Sequence, residues 1–186
     1  MARKTEVDGG RIVDAVIEII EEGGFSEVSA RSIAARLGVS TQPIYREFGD
    51  MDGVRRAAIA RGYEIFAKEV SGDALGQAVR YVKFALEHRR LFDFIFREQG
   101  YKYDGLDDLA HKLIRNTEII EKLTEITGLS VERTYRVHLC VWMALHGLAA
   151  MAADNELTMT DDEISEFTKD VTVALTGYYK GKDGAK

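Results

Sequence analysis

Cysteine and proline are almost absent from this sequence: there is one of each in 186 residues. The lone cysteine, Cys140, excludes an internal disulfide. Its place in the run LCVWMAL reads as a buried, inert thiol. A β-rich chain of this length would need more turn prolines than Pro43 alone, so the scarcity favours long helices. No apolar run reads as long enough to span a bilayer, which takes roughly 18 residues. The N-terminal MARKTEVDGG has basic residues with no apolar stretch behind them, so it does not read as a secretory signal, and a cytoplasmic protein without membrane contact is expected. Basic charge is also short. The net charge of −6 argues against a generic nucleic-acid coat but leaves room for a locally basic face.

What the chain does have is helical periodicity and 46% apolar residues, enough for a real core. Ile12, Val16, Ile19 and Ile20 recur at helical spacing between Arg11 and Glu22, with Asp8 as N-cap and Gly23-Gly24 as stop. A second helix fits Ser29 to Leu37, closed by Gly38. A third starts at Ser40 or Thr41, with a hydroxyl capping it and Pro43 in its first turn, and runs to about Phe48. Asp50 caps a fourth, to about Val70. Ser71-Gly72-Asp73 is the clearest internal break. Helices follow at 74–88, 90–99, 106–127, 130–153 and 161–179, and the tail from Lys180 reads as disordered. The expectation is an all-α protein of about nine helices. Residues 8–70 form a helix-turn-helix domain with its connecting helix, and residues 73–180 form a larger regulatory and dimerisation domain.

The central motif is SARSIAARLGVSTQPIYREF, residues 29–48. A helix-turn-helix needs a small residue in its first helix (Ala34), a glycine in the turn (Gly38) and apolar residues that lock the pair (Ile33, Val39, Ile44). With its lead-in Gly24-Phe25, then Ile33-Ala34, Gly38-Val39-Ser40, Ile44-Tyr45 and Phe48, the stretch resembles the N-terminal signature of the tetracycline-repressor (TetR) family. The resemblance is strong over residues 10–60. It implies that Thr41, Gln42, Pro43 and Arg46 face the DNA groove, that Arg31 reaches a base edge or phosphate, and that Ser40 and Tyr45 bond the backbone of an operator duplex. The residue types suit this work, since arginine reads guanine and glutamine reads adenine through paired hydrogen bonds.

The chain also departs from the family. Glu47 stands where histidine is common, and Met51, between Asp50 and Asp52, stands where a phosphate-gripping lysine is expected. Residues 1–62 hold nine Lys/Arg against ten Asp/Glu. Weak non-specific DNA binding is therefore expected, carried by Arg3, Lys4, Arg31, Arg46 and Arg55.

In the second half, LFDFIF (91–96) is apolar all round, and Trp142, His146 and Gly147 fall on adjoining positions of one helix. This is similar to a subset of TetR C-terminal domains with a Trp-x-x-x-His-Gly element. The wider TetR resemblance implies a small-molecule effector inside this domain, and Phe84, His88, Phe92, Phe96, Trp142, Met143 and His146 are the residues that either line its site or form ordinary core; their aromatic and methionine character suits an apolar or aromatic ligand. The final helix carries a stripe of Ile164, Phe167, Val171, Ala174, Leu175 and Tyr178, which must be buried within the chain or against a partner. The resemblance implies a homodimer through the last two helices.

Catalysis finds no support. His88, His111, His138 and His146 form no metal-binding motif, and His138 and His146 are too far apart along one helix to share an ion. No phosphate loop or nucleophile elbow occurs. No cofactor is expected. The acidic surroundings of the third helix leave one alternative open: a TetR-like protein with weakened or lost DNA binding that serves as a ligand- or protein-binding module.

Overall fold

A computed structural model describes residues 7–98, 103–113 and 117–184, and every regular element within them is helical. Arg3 and Lys4 lie outside the described residues. The helices are α1 Gly9–Gly23, α2 Ala30–Leu37, α3 Gln42–Phe48, α4 Met51–Glu69, α5 Ala74–Glu87, α6 Arg89–Phe92, α7 Leu106–Leu113, α8 Thr117–Thr127, α9 Val131–Ala153 and α10 Asp161–Gly184. A 3-10 turn, Phe25–Glu27, follows α1, and α6 widens into a π-helical turn over Asp93–Arg97.

The chain divides into two compact units. The first holds residues 1–69 together with 87–100, so the segment that the sequence groups with the second domain packs here instead. Its apolar content explains this. Leu91, Phe92, Phe94 and Ile95 are all fully buried. Phe94 stacks on Phe25 at 4.7 Å, and Phe92 and Phe96 join Tyr63 and Phe66 of α4 in one aromatic cluster. The Tyr63 hydroxyl donates to the Ile95 carbonyl at 3.0 Å. α1 is the spine of this unit, burying Ile12, Val16, Ile19 and Ile20 and touching α2, α3, α4 and α6. Each such isoleucine contributes about 1.5–3 kcal/mol of burial. Asp8 caps α1 by accepting from the Arg11 amide at 2.9 Å, and Asp50 caps α4 by accepting from the Gly53 amide at 2.7 Å.

The second unit holds residues 70–86 and 101–186, with α9 packed against α7, α8 and α10. Ser130 caps α9, and a reciprocal pair, the Thr160 amide on the Glu163 carboxylate and the Glu163 amide on the Thr160 hydroxyl, opens α10. The Thr160 amide and hydroxyl, both donating to the carboxylate, hold the Glu163 carboxyl below its ordinary value. Three expectations need correction. Helix α10 continues to Gly184, past the point where order was expected to end. Helix α9 is long and apolar enough to cross a membrane by length and composition, where no such run was expected. Cys140 is exposed, not buried, because it shares an exposed face of α9 with Met143, Gly147 and Met151.

Candidate nucleic-acid interface

Residues 29–48 fold as two short helices around a tight turn. Ser29 and Ser32 cap α2 reciprocally: the Ser29 amide donates to the Ser32 hydroxyl at 2.9 Å and the Ser32 amide to the Ser29 hydroxyl at 3.1 Å. Gly38 ends α2 in the left-handed conformation, φ 67° and ψ 33°. There its amide bonds the Ala35 carbonyl and the Val39 amide bonds the Ala34 carbonyl, closing a Schellman turn. Nothing crowds a Cβ at Gly38, so the backbone angle and not space demands glycine.

Helix α3 has seven residues, too few to be helical alone. Tertiary contacts hold it. Ile44 is its one buried side chain, fully covered, and α3 rests on α1 and α4. Thr41 occupies the N-cap position, but its backbone is helical and no side chain caps α3, contrary to expectation. Its carbonyl instead accepts from the Ile44 amide at 3.2 Å.

The outward face carries the residues named from sequence. Arg31, Ser40, Gln42, Tyr45 and Arg46 are exposed, and Thr41 and Pro43 are half-buried. Arg31 and Tyr45, with Ser29, Met51, Asp52 and Arg55, line an open cleft of about 430 Å³ beside the motif.

The basic residues divide by what holds them. The Arg31 guanidinium has no hydrogen-bond or ion-pair partner among the described residues, and the same is true of Arg11 and Arg56. Arg36 is taken by Glu18 and Glu22, an α1–α2 tie that holds the Glu22 carboxyl below its ordinary value. Arg61 pairs with Asp14 at 3.1 Å. Arg55 turns inward: it donates to the Glu98 carbonyl, and its guanidinium lies 4.5 Å from the Phe25 ring centre. It links α4 to the Phe25 ring and to Glu98, and it also lines the open cleft with Arg31 and Tyr45. Arg46 is engaged by Glu47 at 3.0 Å. Sequence spacing gave no signal for that pair, because neighbours in a helix do not face each other.

The seven effector-site residues are split. His88, Phe92 and Phe96 belong to the first unit, where the His88 ring nitrogens contact Glu21 at 2.6 Å and Glu69 at 3.1 Å. Phe84, Trp142, Met143 and His146 belong to the second. There Trp142 stacks on His146 at 4.9 Å, and His146 Nδ1 lies 2.9 Å from the hydroxyl of Tyr81, a residue not singled out from sequence. Phe84 is fully buried, whereas Met143 is 48% exposed.

The dimerisation residues also differ in exposure. Ile164 is buried inside its own unit, Val171 and Leu175 are half-buried, and Phe167 and Tyr178 are exposed. Around them α10 leaves Val173, Ala174 and Gly177 exposed, and α9 leaves Cys140, Met143, Gly147 and Met151 exposed at intervals of three and four. Among the described residues no group of three His, Cys, Asp or Glu side chains is placed to hold a metal.

Comparison with known proteins gives two family matches. Residues 12–58 match bacterial regulatory proteins of the tetR family, and residues 74–175 match the tetracyclin repressor-like C-terminal domain. The fold is similar to the crystal structure of a TetR-like transcriptional regulator from Rhodococcus sp. RHA1, with a TM-score of 0.60 and 18% identity over 92% of this chain and 96% of that one. No curated protein matches the chain.

Proposed function

Because the chain belongs to the TetR family of bacterial regulators, which are DNA-binding transcription factors and not enzymes, we propose that it is a ligand-responsive repressor that binds a palindromic operator as a homodimer. The observation that carries this reading is the division of α3: Ile44 alone is buried, while Gln42, Tyr45 and Arg46 are exposed. Nothing in the core needs those three outward residues. Gln42 and Arg46 have the chemistry to read base edges, and Arg31, Ser40, Thr41 and Tyr45 that to hold phosphate, with Pro43 presetting the helix start.

The dimer is supported by the apolar faces that α9 and α10 leave uncovered. Two helices from each copy would close a four-helix bundle and set two recognition helices about one DNA turn apart. Gly147 and Gly177 fit this role, since nothing lies within 4 Å of a Cβ on either. The interface then comprises Phe167, Tyr178 and their exposed neighbours together with Met143, which leaves the effector list.

The effector would bind against Trp142 and His146, with Tyr81, whose hydroxyl lies 2.9 Å from His146 Nδ1, as its polar anchor. An aromatic or apolar ligand suits these walls. It would release DNA by binding the DNA-incompetent state more tightly. The protein acts where its operator is, in the cytoplasm.

A second reading is favoured by the engagement of Arg46 and the inward turn of Arg55: a TetR-like ligand- or protein-binding module that no longer grips DNA. Selection of genomic fragments by the purified protein separates the two. Enrichment of a palindrome supports the repressor; a folded dimer that enriches nothing supports the module.

A further inference from the structure

Arg46 and Glu47 meet although adjacent helical residues diverge by about 100°. Nε and Nη2 of Arg46 donate to one carboxylate oxygen, Oε1 of Glu47, at 3.1 and 3.0 Å. Nη2 also lies 3.5 Å from the Val7 carbonyl. The other oxygen of Glu47, Oε2, turns toward the first turn of α1, 3.7 Å from where a Cβ on Gly9 would stand. The pair is at the surface, with side chains 54% and 32% exposed. The arginine that the recognition helix offers to DNA is therefore held by a carboxylate of the same helix.

We infer that Glu47 is a specificity-determining residue for DNA binding: acting through Arg46, it suppresses phosphate contacts and yields the guanidinium to guanine. The inference rests on the DNA-binding reading above. It follows from what each exchange gains. An exposed ion pair is worth at most about fivefold in an equilibrium constant. A contact to one phosphate is an interaction of the same kind, so exchanging Glu47 for phosphate gains little. It also leaves an unpaired carboxylate beside a negatively charged strand. Guanine presents O6 and N7 together, and a two-bond arginine contact discriminates by about five- to a hundredfold. Guanine carries no net charge to repel the released carboxylate. That carboxylate also matches the exocyclic amino group of the paired cytosine. Glu47 thus costs random DNA more than it costs a G·C pair at the right place.

The test is a double-mutant cycle. Dissociation constants for the selected operator and for a random duplex are measured against salt, for wild type, Glu47→Gln, Arg46→Ala and the double variant, each checked for helix content. Glu47→Gln is expected to tighten random DNA about fivefold and the operator less, and to steepen the salt dependence by about one unit. In the Arg46→Ala background the same change is expected to do almost nothing. Equal tightening with and without Arg46 would show plain repulsion by the carboxylate and overturn the inference alone. Equal tightening of both duplexes would also overturn it. If neither wild type nor Glu47→Gln binds any duplex, the DNA-binding reading fails, and the inference with it.

Discussion

A Cβ on Gly53 would stand 2.1 Å from the carbonyl oxygen of Phe48. Phe48 is the last residue of the recognition helix and Gly53 lies in the first turn of the next, so α3 is aimed by a contact that no other residue permits. The obstacle is backbone, which cannot rotate away as a side chain would. Gly53→Ala is expected to cost about 1–3 kcal/mol and to lower the melting temperature. It should weaken DNA binding more than the stability loss explains. An unchanged melting curve would show that the joint is looser than described.

The exposed apolar stripe of α9 predicts the oligomeric state. Cys140, Met143, Gly147 and Met151 are all exposed, and they share one face. Met143→Glu places a charge in the centre of that face. Sedimentation should give a dimer for wild type and a monomer for the variant at micromolar concentration, with helix content retained. A variant that stays dimeric would move the interface elsewhere.

Burial holds the His138 imidazole below its ordinary value of 6.5. The folded chain then binds fewer protons here than the unfolded chain once the pH falls below about 6.5. Stability is full above that value and declines as the pH drops beneath it. The melting temperature of wild type should fall more between pH 7 and pH 5.5 than that of His138→Leu. Parallel curves would contradict the assignment.

The Tyr81–His146 contact predicts a modest stability effect. Tyr81 is 5% exposed and its hydroxyl meets His146 at 2.9 Å. Tyr81→Phe leaves a half-buried ring nitrogen without this partner and should cost about 1 kcal/mol in chemical denaturation. No change would mean that solvent serves His146 equally well.

The parts of the fold governed by local rules were legible in the sequence. Asp8, Ser29 and Asp50 cap their helices, and Gly38 closes α2, because caps and left-handed turns are written in residues three or four apart. The family resemblance points Arg31, Gln42 and Tyr45 outward, and all three are exposed. Long-range choices were not legible. Residues 91–96 are apolar on every side, so periodicity gave them no address, and they packed with α4 and Phe25 in the first unit. Cys140 sits in an apolar run, yet among the described residues one side of α9 is left exposed. The partners of Arg55, namely Phe25, Phe94 and Glu98, are distant in sequence, so local spacing gave no sign of them. Thr41 looked like a cap, but its helical backbone turns that role aside.

The central claim is that the outward face of α2 and α3 grips an operator symmetrically. Hydroxyl-radical footprinting on the selected duplex tests it most directly, with wild type and Arg31→Ala side by side. The account predicts two protected patches about one helical turn apart, related by a dyad. It predicts that Arg31→Ala binds about tenfold more weakly, with both patches weakened together. A single patch, protection without two-fold symmetry, or a footprint that Arg31→Ala leaves unchanged would contradict it.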